Sequence, residues 1–499
     1  MPEDSLKDKT VKGVGWSAID NVAGYAVSFF IGIILARLLS PEDYGLLGLI
    51  GIFTAICNCF IYSGLSSALI RKKDVTDDDY NTVFIFNLVM SIVLYGVMFL
   101  AAPLIADFFG RQELVALTRV SSLGMIIGAL SSTQRTRLTR RIDFKSQAKI
   151  TVASTIVRGT VGITTAFIGW GVWALVAQEL ASGITQTCLL VYFNRWIPSL
   201  RFSFPIFKDL FGYSSKLLAS GLLDTIWNQL YQVVIGKFYA PATLGQYTRS
   251  TMFSGLLSSN LTSVVQRVSF PVLSQIQDEP ERLKDGYRRI IRTTMFITFC
   301  ATLMLAAVAK PMILVLIGEK WLPAASFLQI VCFGSMLYPL HAINLNMLQV
   351  KGRSDLFLRL EIIKKCFAVG PLLLGIFYSI YWMLIGSVFT GFIAYYLNAY
   401  YSGPLLGYSI RAQVKDILPS FFIGLSGATV AFLPTLGYYF LWQGEAWSYV
   451  SFVILPIQIV LGLSVILILC EHFKPLEYIE LKGIGIEQIR RIKKKPFNP

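Results

Sequence analysis

Lys216, Ser220, Asp224, Asn228 and Gln232 recur at every fourth position of one long, otherwise apolar stretch. On an α-helix each such step drifts by about 40°, so together they cover an arc of about 160° on one side, with Tyr231 in or near it. An ammonium, a carboxylate, two amides and a hydroxyl on one face could bind an anion, a cation and many hydroxyls at once. Such a stripe is either the wall of a wet cavity or a polar seam between helices, with Lys216 snorkelling towards the membrane surface.

Other apolar stretches carry isolated polar groups. Asp20 and Asn21 lie near Gly24 and Ser28. Asp20 and Asp224 are candidates for a coupling cation or proton, because a carboxylate in low dielectric titrates closer to neutrality. Each could equally pair with Arg158 or Lys216. Arg158 offers a planar fork suited to phosphate, or it is neutralised by Glu179. Asn260, Ser263 and Gln266 lie on one stretch, and His341, Asn344, Asn346 and Gln349 on another. Amides suit sugar hydroxyls, and they also suit helix packing. Catalytic and metal sites are not expected. Asp77-Asp78-Asp79 reads as a solvated turn whose charges favour a following helix N-terminus. Gly32, Gly45, Gly48 and Gly51 read as helix-packing positions. The seven cysteines read as small buried hydrophobes.

The elements that must position these residues are membrane spans. The chain has 499 residues, 55% hydrophobic and 15% charged. No soluble protein of that size hides so much apolar surface. Apolar stretches of about 20 residues recur along the whole length, giving about 14 spans. These include 13–36, 150–169, 211–238, 244–270 and 322–349, with the last two at 415–440 and 447–470. No signal peptide is expected. The net charge of +15 suggests nucleic acid at first, but the basic residues lie between spans. With the N-terminus in the cytoplasm, Lys and Arg on that side outnumber those opposite by about five to one, alternating without interruption. Both termini are therefore expected in the cytoplasm.

The chain also repeats. Ala36-Arg37-Leu38-Leu39-Ser40-Pro41-Glu42-Asp43-Tyr44-Gly45 finds a partner in Gly236-Lys237-Phe238-Tyr239-Ala240-Pro241-Ala242-Thr243-Leu244-Gly245. Pro103 to Gly110 matches Pro311 to Gly318, and Arg141-Ile142-Asp143-Phe144 matches Arg353-Ser354-Asp355-Leu356. An offset of six spans makes the halves parallel in the membrane, an arrangement that places transporter sites between repeats. The expected organisation is a six-helix lobe over 1–200, a second over 201–400, additional helices 13 and 14 over 401–470, and a basic tail over 471–499. That tail is expected to lie on an anionic leaflet.

The first of these repeats closely resembles the signature following the first helix in the polysaccharide-transporter branch of the multidrug/oligosaccharidyl-lipid/polysaccharide exporter superfamily. Ala68-Leu69-Ile70-Arg71-Lys72-Lys73-Asp74, ahead of Asp79 and Val83-Phe84, fits the same branch, as does Gly169-Trp170-Gly171-Val172-Trp173-Ala174-Leu175-Val176. The resemblance, to exporters of the colanic-acid and O-antigen flippase type, covers essentially the whole chain. It implies an all-α polytopic membrane protein with two six-helix lobes in a V. It also implies a non-enzymatic flippase of the bacterial inner membrane that moves a polyprenyl-diphosphate oligosaccharide to the periplasmic leaflet by alternating access. The implied partners are that lipid-linked oligosaccharide, membrane lipids and polysaccharide-assembly proteins. No cofactor is implied, and the coupling ion stays open. Two other readings compete. A cation-coupled multidrug exporter of the same superfamily would typically have 12 spans. A membrane-embedded polymerase or ligase would want a large periplasmic loop.

Overall fold

The structure, a computed structural model, describes residues 24, 27–62, 64–442 and 447–483. Among these every regular element is a helix. The helices are α1 (Val27–Leu38), α2 (Pro41–Tyr62), α3 (Leu65–Arg71), α4 (Asp77–Phe109), α5 (Glu113–Ser121), α6 (Leu123–Arg140), α7 (Phe144–Phe167) and α8 (Val172–Asn194). They continue as α9 (Phe204–Phe238), α10 (Pro241–Gln275), α11 (Pro280–Leu316), α12 (Leu322–Ser335), α13 (Tyr338–Val350), α14 (Ser354–Phe377), α15 (Ile380–Ser402), α16 (Ile410–Trp442) and α17 (Trp447–Phe473). Within the described residues, ten helices are long and apolar enough to cross a membrane, with α2–α3, α5–α6 and α12–α13 each counting as one. The chain is thus a polytopic membrane protein. The long helices α9, α10 and α14 are not among the ten. Lys216 and Asp224 on α9, Asn260, Gln266 and Arg267 on α10, and Arg359, Glu361, Lys364 and Lys365 on α14 dilute their apolar character.

Local chemistry sets the boundaries. Asp43 Oδ2 accepts from the Ser40 backbone at 2.8 Å, and the Asp43 backbone donates to Ser40 Oγ at 3.2 Å, a capping box at the start of α2. Pro41 sits at the first helical position, where its missing N–H costs nothing. Thr76 and Asp79 make a second capping box at α4. Asp79 departs from the expected solvated turn. It is fully buried and ion-paired to Lys72 at 2.6 Å, while Asp77 and Asp78 stay exposed.

The chain divides into two compact units, Met1–Gly245 and Gln246–Pro499. The division between these units falls after Gly245. The reason is packing, since α9 lies against α2, α3 and α4 of the first unit. In the second unit α16 and α17 pack on α11, so the helices outside the repeat join that unit's core. The repeated Pro and Gly have a shared steric reason within the first unit. A Cβ on Gly45 would run into the Pro241 carbonyl, and one on Gly245 into the Pro41 carbonyl. The two copies of the motif meet reciprocally, and only glycine allows that approach. Gly51 was expected to be a packing glycine too, but a Cβ there would meet nothing within 4 Å.

Candidate functional site

Helix α9 starts with Pro205 in its first turn and runs 35 residues without a break. One side is pinned to the first unit. Phe207 and Phe211 stack on each other with ring centroids 5.1 Å apart, and both contact Phe86 of α4, at 4.9 and 6.3 Å. Cys59 of α2 lies 2.9 Å from Thr225 Oγ1 and 3.8 Å from the Gly221 carbonyl. By helical geometry Gly221 and Thr225 fall about 20° to either side of Gln232, at one end of the arc. That end faces α2 and Gln232 is half-buried, while Lys216, Ser220, Asp224 and Asn228 are exposed. From Lys216 to Asn228 the stripe is therefore open rather than buried by the helices of its own unit.

Arg158 on α7 is ion-paired with Glu179 on α8. Of the two roles open to it, neutralisation by Glu179 is the one the structure contains. The Arg158 side chain as a whole is 37% exposed.

The amides of the second unit separate into two kinds. Gln266 of α10 is exposed. Asn260, half-buried, donates from Nδ2 to the Leu256 carbonyl of its own helix at 2.9 Å. Asn344 is fully buried, and its Oδ1 accepts from Tyr287 Oη and from Ser402 Oγ, the latter at 3.0 Å. Its neighbours supply partners that the sequence spacing does not reveal. Asp20 and Asn21 lie outside the described residues.

A further set of residues was not anticipated. The first unit contains a cavity of about 440 Å³ whose polar walls come from three helices. Gly51, Thr54 and Asn58 belong to α2, Gly124, Gly128 and Ser131 to α6, and Glu179, Ser182, Gly183 and Gln186 to α8. In each helix they follow i, i+3 or i+4, i+7, one helical face. That pattern of small and polar residues was the available signal. Among the described residues no group of three or more His, Cys, Asp or Glu side chains could hold a metal ion.

The chain is a multi-pass helical membrane protein with polar helix faces, and solved membrane transporters share its fold. A lipid II flippase in an inward closed conformation superposes with a TM-score of 0.70 over 92% of this chain and 98% of its own, at 16% identity. An inward-facing multidrug resistance transporter of the MOP superfamily matches at 0.57 over 77% of this chain and 94% of its own, at 18% identity. Residues 34–326 match the model of the polysaccharide biosynthesis protein family, and the chain belongs to that family. It is 22% identical over 86% of its length to the lipopolysaccharide biosynthesis protein WzxC of Escherichia coli, covering 88% of that protein. It is 26% identical to the succinoglycan biosynthesis transport protein ExoT of Rhizobium meliloti, over 64% of each chain.

Proposed function

We propose that the chain is a flippase that moves a polyprenyl-diphosphate-linked oligosaccharide from the cytoplasmic to the periplasmic leaflet of the bacterial inner membrane, for assembly of a cell-surface polysaccharide or lipopolysaccharide. The carrying observation is the exposed stripe Lys216, Ser220, Asp224 and Asn228 on a helix of an otherwise apolar membrane protein. Polar and charged groups at membrane depth face a water-filled path, because facing lipid would strip them of hydrogen bonds. Sugar hydroxyls have the same problem in hydrocarbon. A polar path gives them replacement partners while the prenyl tail stays in lipid. Lys216 and the exposed part of Arg158 would offset the cost of removing the diphosphate from water. Alternating access would then exchange the open face. Asp20 or Asp224 would carry a coupling proton or other cation. The names of the relatives, which concern lipopolysaccharide and succinoglycan biosynthesis, support the substrate class. The alternation of basic loops supports cytoplasmic termini.

The test is export in a strain lacking the chain, complemented by variants. Lys216→Ala, Asp224→Ala and Asn228→Ala should each lower polysaccharide export at unchanged membrane abundance. Leu222→Ala and Val233→Ala, off the stripe, should act on abundance instead. Normal export by all three stripe variants would place the path elsewhere.

A further inference from the structure

The cavity of the first unit shares no lining residue with the α9 stripe. We propose that it is a second sugar-binding site, which takes one neutral sugar residue of the lipid-linked substrate; this rests on the flippase reading above. Its volume of about 440 Å³ lies within the roughly 300–1,000 Å³ typical of small-molecule sites.

The donor set selects the ligand. No hydrogen bond joins Asn58, Ser182 or Gln186 to another described residue. Ser121 Oγ at the edge of the cavity is buried without a partner. Two amides and two hydroxyls offer donors and acceptors together, which is what a ring of sugar hydroxyls needs. Left dry, these groups would carry a desolvation cost that ligand hydroxyls or water must relieve.

Charge excludes the other ligands. Glu179 is the one ionisable residue in the lining, and Arg158 already neutralises it. A hard cation needs six or so oxygen ligands, carboxylates prominent among them, and this cavity offers a single, paired one. With no Lys or Arg in the lining, nothing there offsets the charge of the diphosphate. A neutral polyhydroxyl group fits both facts, and the anionic end of the substrate is left to other residues. The space itself is made by small residues, for Gly51 has nothing within 4 Å of where a Cβ would stand.

The test uses the full-length chain in its native host with the chromosomal copy removed. Gly51→Leu fills the cavity from an open position, and leucine favours a helix over glycine, so α2 gains rather than loses helical preference. Gly96→Leu makes the same change at an open position on α4, outside the cavity. The expected result is export lowered at least tenfold by Gly51→Leu at unchanged membrane abundance, with normal export by Gly96→Leu. In parallel, benzoylphenylalanine replaces Gln186 in cells fed radiolabelled sugar, and irradiation should attach labelled glycan to the chain. Normal export by Gly51→Leu, or an unlabelled chain at position 186 because the cavity holds only water or an ion, overturns the proposal. If the stripe variants still lose export, the flippase reading survives that failure. If they too export normally, both fall.

Discussion

The two units handle apolar and polar side chains differently. In the first, apolar packing is broken into separate clusters, one around Leu65, Tyr80, Phe84 and Trp196, another around Cys57, Ile61 and Met98, a third around Leu35, Leu39 and Leu175. Some of its polar residues are buried and paired, as Asp79 is, but others stay open, on the α9 stripe and in the cavity. In the second, one large cluster follows α11 through Tyr287, Ile291, Met295, Phe299 and Leu303 and takes in residues of α13, α15, α16 and α17. Asn344 sits inside that core with two hydroxyls on its carbonyl. The same residue type therefore does opposite work. The Asn344 carbonyl holds two neighbouring hydroxyls in a core, whereas on the proposal above the open amides of the first unit would serve a ligand.

The largest effect expected from this contrast is in the second unit. Asn344→Leu removes the acceptor of both Tyr287 and Ser402. Each orphaned buried hydroxyl costs about 1–3 kcal/mol, so thermal melting of the purified protein should show a loss of 2 kcal/mol or more by this order-of-magnitude count. Export per folded molecule should hold. An unshifted melting curve would break the comparison at its buried end.

Next comes the stripe. The double change Asp224→Leu, Asn228→Leu should lower export at least tenfold, equivalent to about 1.4 kcal/mol, without lowering the melting temperature. A marked loss of stability would mean that these side chains act as Asn344 does.

A smaller effect is expected from Arg292→Ala, which leaves the Glu477 carboxylate, only 3% exposed, without its partner. Because Arg292 is itself 22% exposed, solvent screening holds the loss to about 1 kcal/mol, below that of a fully buried pair. Adding Glu477→Gln should recover most of it in the same melting assay. The smallest is Asn260→Ala. Its amide bonds only within its own helix, so stability should change by no more than about 0.5 kcal/mol. Any sizeable fall in export would then assign Asn260 to the substrate path.

Much of this was legible in the residues. The long helices followed from hydropathy, and the family from the motif around Pro41. The polar face of α9 followed from four-residue spacing alone, since helical geometry converts spacing into direction. The fate of Asn344 did not follow, because its partners Tyr287 and Ser402 lie 57 and 58 positions away. Arg158 was legible only as a pair of alternatives until Glu179 was placed beside it. The cavity was missed because its walls come from three helices, each with an unremarkable small-residue face. Gly51 looks like a packing glycine until its missing neighbour is seen. Docking of the segment after α17 was also hidden. Glu477 and Glu480 pair with Arg292 and Arg289, although composition pointed only to a basic tail. Residues 484–499 of that tail lie outside the described residues.

The reciprocal contact between Gly45 and Gly245 has the logic of an isologous dimer interface, in which i meets j and j meets i. In a true dimer one altered codon would spoil both contacts together. Joined in a single polypeptide, the two glycines are separate genetic positions, and one can be changed while the other stays glycine. Gly45→Ala and Gly245→Ala each report half of a symmetrical injury, and their combination reports what a dimer would suffer from one mutation. The excess of the double variant over the sum of the singles measures how far the two contacts act as one hinge or as two independent stitches.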